Sequence, residues 1–146
     1  MLYLRKAEEK DIDLLYEWAN DPVVRANSFC SDPISYEDHK KWFSRVITDP
    51  AILQFILMAD DVPVGQIRLT VDKESAEIGY SIAGTYRGKG YGRRILQLIA
   101  EEVHEKHPEI KKLTAKVKPG NMASRKLFES ESYSLKYYGY TLNLDR

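Results

Sequence analysis

The chain has 146 residues, and its 22 Lys and Arg balance 22 Asp and Glu to a formal net charge of zero. No global field therefore gathers nucleic acid or an anionic membrane, and any polyanion must be held by a local cluster. Cys30 is the sole cysteine, which excludes an internal disulfide and a Cys-rich metal site. It fits a reducing, cytoplasmic setting. No apolar run approaches the roughly 20 residues of a membrane span, and the N-terminus turns charged too early for a signal peptide. A chain of this length forms one compact domain with a core large enough to leave a pocket, so we expect residues 1–146 to be a single domain.

In chain order, "LYLRKA" alternates as a first strand, and "EEKDIDLLYEWAND" sets Ile12, Leu15, Tyr16 and Trp18 at helical spacing before Pro22. The stretch between Asn20 and Ser35 has two prolines and no period, and reads as an ordered loop. Ser35 with Asp38 resembles a capping box that opens a helix with His39, Trp42, Phe43 and Val46 on its apolar face. "AILQFILMA" and "VPVGQIRLTV" flank Asp60 and Asp61 at hairpin spacing, and "SAEIGYSIAG" follows as a third strand. From Gly92 the period changes to helical, with Ile95, Leu98, Ile99 and Val103 on one face until Pro108. "KKLTAKVK" is a strand, Asn121 caps a helix over "MASRKLFES", and "YSLKYYGYTLNLD" is expected to supply one or two closing strands. A meander followed by one βαβ crossover makes the class α+β.

The chemistry concentrates in "IAGTYRGKGYGRRILQLIA", where glycines alternate with cations before a helix. Glycine admits positive φ and lets a ligand approach the main-chain amides, and a helix's first turn carries partial positive charge, so a diphosphate is the ligand that suits this turn. It is not a P-loop, because only three residues separate Gly84 from Gly88-Lys89 and Gly90 replaces the hydroxyl residue. Nor is it a dinucleotide fingerprint, which needs G-x-G-x-x-G after the first strand of a βαβ unit. What matches is a hydrophobic residue, then R-x-x-G-x-G: Ile82, Arg87, Gly90 and Gly92.

With that motif the chain resembles the GNAT superfamily of acetyl-CoA-dependent N-acetyltransferases. The resemblance implies a central mixed, mostly antiparallel sheet of six to seven strands flanked by about four helices. It also implies acetyl-CoA as cosubstrate and no metal. The amides of Arg87, Gly88, Lys89, Gly90, Tyr91 and Gly92 would hold the pyrophosphate. Arg93 and the other arginines would screen charge or meet the adenosine phosphate. Ile82 and Ala83 would align the pantetheine arm, with an amide there facing the thioester carbonyl. "NMASRKLFESESY" is similar to the family's second segment through Asn121, Ser124, Leu127, Phe128 and Tyr133; Leu127 reads as core packing, while Ser124 and Phe128 would lie beside the cofactor arm. Two positions depart from the pattern. Ser132 stands at the usual glycine, where a differently bent turn is expected, and Phe128 stands where a tyrosine often protonates the leaving thiolate. Tyr133, Tyr137 or Tyr138 is then the candidate acid.

An alkylammonium must lose a proton before it attacks a thioester. Glu77, on the strand that leads to the cofactor turn and in phase with Gly79 and Ser81, is the candidate base. "EWANDPVVRANSF" resembles a segment of GNAT branches that acetylate ribosomal-protein N-termini or amino-sugar nucleotides, the second being nearer. Arg25, Asn27 and Ser28 would meet the acceptor, and Trp42 or Phe29 could stack on a base. The bland reading makes Trp18, Trp42 and Phe43 core residues and His39 a packed or surface histidine. The expected partner is a small-molecule amine, with a nucleotide-linked amino sugar as the leading candidate, and neither nucleic acid nor membrane. The chain would act as a monomer or homodimer. The alternatives are acetylation of a protein α-amine and a non-catalytic acyl-CoA-binding regulator.

Overall fold

The computed structural model describes residues 1–144. Five strands form one sheet in the order β1-β2-β3-β4-β5: β1 (Leu2–Lys6), β2 (Ile52–Ala59), β3 (Val62–Asp72), β4 (Ser75–Ile82) and β5 (Lys112–Ala115). The first four pair antiparallel in sequence order, and β5 lies parallel to β4 after a helical crossover. Asp60, at φ 53°, starts the turn between β2 and β3 that the Asp60-Asp61 pair predicts.

The strand alternation divides the sheet's residues between two cores. On one face Phe55, Leu57, Ile67, Leu69, Ala76 and Ile78 meet Ile95, Leu96, Ile99 and Val103 of α4 (Tyr91–Lys106) and Phe128 of α5 (Met122–Ser130). On the other, Ile56 and Met58 meet Leu15 of α1 (Ile12–Ala19) and Phe43 of α3 (Tyr36–Thr48), with Trp18 and Trp42 packed around them. Ser35 and Asn121 both cap their helices, although among the described residues Asp38 does not return the second bond of a capping box. The amide of Asp38 donates to Ser35 Oγ at 3.2 Å, and that of Ser124 donates to Asn121 Oδ1 at 3.3 Å.

Three expectations are corrected. The stretch from Asn20 to Ser35 contains a short helix, α2 (Pro22–Asn27). Its six residues are too few to show a period, but Asp21 accepts from the amides of Val23 and Val24, and Pro22 sits in the first turn, where no N–H is needed. Among the described residues the α-helices therefore number five rather than about four. Among the same residues the sheet has five strands rather than six to seven. Among the described residues no strand follows Ala115, and Tyr137, Tyr138, Tyr140, Leu142 and Leu144 are exposed. Alternation belongs to a segment, whereas a strand belongs to a pair, and this segment has no ladder partner.

Ser132 takes φ 73° at the end of α5, and the amide of Tyr133 closes back on the Phe128 carbonyl at 3.0 Å. The serine thus adopts the left-handed conformation that glycine usually supplies after a helix, and the turn is not rebuilt around it.

Between β1 and α1, Arg5 grips Asp11 with two nitrogens at 2.8 and 2.9 Å, and the amide of Glu8 donates to the same carboxylate at 2.7 Å. Burial works against ionisation of Asp11, but the guanidinium and the amide outweigh it and hold its pKa below the usual value. A depressed carboxylate stabilises the fold above its unfolded pKa of about 3.9, and that stability is lost as pH falls through the folded value. Asp11→Ala is expected to cost about 3 kcal/mol at pH 7, because it leaves Arg5 half-buried without its partner. Urea denaturation should show the gap to wild type narrowing below pH 4. A gap that is the same at pH 3 and pH 7 would exclude the ion pair as its source.

Candidate active site

The site lies where β4 and β5 part. Their pairing covers only Ser75–Ile78 against Lys112–Ala115, so the rest of β4 faces a cleft of about 920 Å³. That cleft is lined by Ile78 to Ile82, Ala115 to Val117, Ser124 and Phe128. Along the other side of β4, the Ala83 amide donates to Val64 O at 2.8 Å. In an antiparallel ladder the residues pointing toward a neighbour alternate, so the N–H and C=O of Tyr80 and Ile82 point away from β3 and into the cleft. Of the two residues expected to align the cofactor arm, Ile82 presents its amide and Ala83 has its amide already engaged.

The glycine turn closes one end of the cleft. Gly88 and Gly90 have φ of 78° and 83°, and no atom lies within 4 Å of where a Cβ would stand on either. Their glycine character is thus a backbone requirement and leaves the amides approachable. The first bond of α4 runs from the Arg94 amide to Gly90 O, which leaves the N–H groups of Tyr91, Gly92 and Arg93 without helical partners. These features fit a pyrophosphate. Arg87 plays a different part: its amide makes a long bond of 3.5 Å to Gly84 O, and its guanidinium pairs with Asp21 Oδ1 at 3.1 Å. Burial and Arg87 act oppositely on Asp21, and the net effect, with two capping amides, lowers its pKa. Lys89 and Arg93 stand outside the cleft's lining, Arg93 within 3.7 Å of Glu131. Gly92 is where α5 approaches α4: a Cβ there would stand 2.9 Å from Leu127 Cδ2, which confirms Leu127 as packing.

Glu77, Gly79 and Ser81 share the face of β4 turned toward α1 and α3, and all three line the cleft. Glu77 is half-exposed and lies 3.4 Å from Lys116 Nζ on the opposite bank. On the other face of β4, Tyr80 OH is hydrogen-bonded to Ser124 Oγ at 2.8 Å, and its ring meets Phe128 edge-on. Burial raises the Tyr80 pKa, with Ser124 opposing. Tyr133 packs behind Phe128, its ring centroid 5.0 Å away, outside the cleft's lining. Burial first, and then Glu131, raises its pKa. Tyr137 and Tyr138 are exposed to solvent.

A second cavity of about 410 Å³ lies between α1, α2, α3 and the sheet. The two cavities share Arg68, Gly79, Tyr80 and Ser81, so they meet at the middle of β4. Arg25 and Ser28 line both, and Asn27 lines the cleft only. The Arg25 side chain donates to the carbonyls of Ala19, Cys30 and Asp32 and to Ser28 Oγ, while Ser28 donates to Val24 O. Arg25 therefore shapes the wall by stitching its own loop. His39 is buried and bonded through Nε2 to Ile12 O at 2.8 Å, a packed histidine as the bland reading has it.

Three residues of the site escape the sequence reading: Asp21, Tyr80 and Arg68. A polar phase was visible in "GQIRLTV", where Gln66 and Arg68 alternate with Ile67 and Leu69. What a sequence does not show is that Arg68 stands opposite Gly79.

Comparison with known proteins gives the family. The sequence profile described as an acetyltransferase (GNAT) domain matches residues 1–131, and the chain belongs to that family. It is an acetyl-CoA-dependent N-acetyltransferase. No curated protein sequence matches it. Among solved structures, an aminoglycoside acetyltransferase, AAC(6')-Ib, in complex with coenzyme A has a TM-score of 0.81 at 18% identity, covering 93% of this chain and 86% of that one. The spermidine N-acetyltransferase of Vibrio cholerae with CoA and spermine has 0.78 at 22%, covering 88% and 78%. RimL, a ribosomal L7/L12 α-N-protein acetyltransferase in complex with coenzyme A, has 0.81 at 17%, covering 93% and 81%. At these identities the likeness is one of fold.

Proposed function

We propose that the protein transfers acetyl directly to a small primary amine held in the inner cavity, a nucleotide-linked amino sugar being the leading acceptor. The observation that carries this reading is the junction of the two cavities at Gly79, Tyr80 and Ser81. A donor arm along β4 and an acceptor behind it would meet there without a covalent relay. The inner cavity is walled by three helices and by the loop that Arg25 stitches, which suits a small molecule better than a peptide, the acceptor of RimL.

Acetyl-CoA supplies the acyl group as a thioester whose carbonyl a neutral amine can attack. Glu77 takes the ammonium proton, directly or through one water. The Ile82 amide is free to stabilise negative charge on the carbonyl oxygen. Tyr80, oriented by Ser124, offers its hydroxyl proton to the departing thiolate in place of the tyrosine that Phe128 replaces, and recovers a proton from the nitrogen that is being acetylated. Tyr133 then supports Phe128 from behind.

The test is thiol release from acetyl-CoA against nucleotide-linked amino sugars, free amino sugars, polyamines and peptides with free N-termini. The nucleotide-linked sugars should give the highest kcat/KM; a peptide giving the highest value would transfer the assignment to protein α-amines. Tyr80→Phe keeps the contact with Phe128 and should lower kcat about tenfold with KM for acetyl-CoA unchanged. Full activity in that variant would remove Tyr80 from the chemistry.

A further inference from the structure

Arg68 sits on the floor of the acceptor cavity at its junction with the donor cleft. Its guanidinium lies over the Trp42 ring, 5.3 Å from the centroid, and reaches across Gly79, where a Cβ would stand 3.1 Å from Nη2. Glycine at 79 is what gives the guanidinium its seat. Among the described residues Arg68 makes no hydrogen bond and no ion pair. The polar side chains at neighbouring register positions engage one another instead: Gln54 donates to Gln66 at 2.9 Å and Gln66 to Ser81 at 3.1 Å, while the buried Gln54 Oε1 has no hydrogen-bond partner among the described residues. Glu77, the facing carboxylate, is within ion-pair distance of Lys116 and not of Arg68. A cation taken largely out of water, with an indole face beside it and Glu77 acting only at longer range, is unfavourable unless something completes it. The other cation of the cavity, Arg25, has its donors engaged by carbonyls, and the cavity's carboxylate, Asp38, lies on an exposed part of the rim.

We propose that Arg68 is the anion-binding residue of this cavity, and that the acceptor is an amine that also carries a carboxylate or a phosphoryl group. The proposal rests on the reading of this cavity as the acceptor site, and it holds whether or not the acid group belongs to a nucleotide. A planar guanidinium held over Trp42 offers two parallel N–H donors, the geometry that carboxylate and phosphate oxygens match. The same floor disfavours polyamines, which would bring positive charge onto a guanidinium.

The test uses amine pairs that differ only in the acid: glucosamine 6-phosphate against glucosamine, and alanine against alaninamide. Each is titrated into the CoA-saturated protein and followed by tryptophan fluorescence, since Trp18 and Trp42 both line the cavity. The acid-bearing member of at least one pair should bind about tenfold or more tightly than its twin, and the pair that shows it separates phosphoryl from carboxylate. Arg68→Gln should reduce that preference to less than about twofold with CoA affinity retained, and Arg68→Lys should keep part of it. If Arg68→Gln does not fold, Gly79→Ala, which intrudes on the guanidinium's seat, should reduce the preference instead. No preference in either pair, or a preference that survives loss of the guanidinium, overturns the proposal. Turnover on the same compounds reads the parent hypothesis separately. Selective binding without acetylation would sink the acceptor assignment and leave the anion site standing, and acetylation without selectivity would do the reverse.

Discussion

Glu77→Gln is expected to lower kcat by about a hundredfold to a thousandfold while the acetyl-CoA dissociation constant stays within twofold. With an amine pKa of about 10, only about one acceptor in a thousand is neutral at pH 7, so an enzyme without a base depends on that fraction. Glu77 is the carboxylate that β4 places on the cleft, in phase with Gly79 and Ser81, and glutamine keeps its size and its polar contact with Lys116. The pH profile separates a base from a merely structural role. In the glutamine variant kcat/KM should climb about tenfold per pH unit toward the amine's pKa, whereas the wild-type curve should level off earlier. Unchanged turnover at saturating acceptor would take Glu77 out of the mechanism.

Gly90→Val should weaken acetyl-CoA binding about a hundredfold. Nothing near Gly90 obstructs a side chain, so the whole effect must come from the backbone. A β-branched residue at φ 83° is a severe outlier, and relaxing it displaces the amides that open α4. Gly120→Ala is the control, since Gly120 has open space around it and no positive φ to surrender. Calorimetric titration with acetyl-CoA decides between them. Normal affinity in Gly90→Val would mean that the turn is not what holds the diphosphate.

The sequence made the donor side largely legible and the acceptor side poorly so, for a physical reason. A glycine turn, a cap such as Asn121 and a helical period such as Ile95, Ile99 and Val103 are local, and each is complete within a dozen residues. The partner of a side chain is not local. Arg25 carries the charge expected of an acceptor contact, yet the carbonyl that ends α1 and two carbonyls of the loop after α2 hold it. Arg68 lies on the polar phase of β3, and its proposed role depends on the register that sets Gly79 opposite it. Tyr80 becomes a candidate acid because α5 brings Ser124 to its hydroxyl across 44 residues of sequence. The tail from Tyr133 shows the opposite error, since its local alternation is strand-like and no strand pairs with it among the described residues.

The parting of β4 from β5 leaves unpaired backbone donors and acceptors inside the molecule. Such an edge is ordinarily an aggregation hazard, because it templates any strand that reaches it. Here the approach is bridged. Lys118 Nζ bonds Ala26 O at 3.1 Å, tying the segment before α5 to α2 across the opening, and Ser124 and Phe128 crowd the same side. A peptide strand carries side chains on both faces and about 4.8 Å of width to its next neighbour. A thin chain of amides and methylenes carries neither. The bridge thus stands in the way of a neighbouring strand while the hydrogen-bonding edge stays available to a slender ligand.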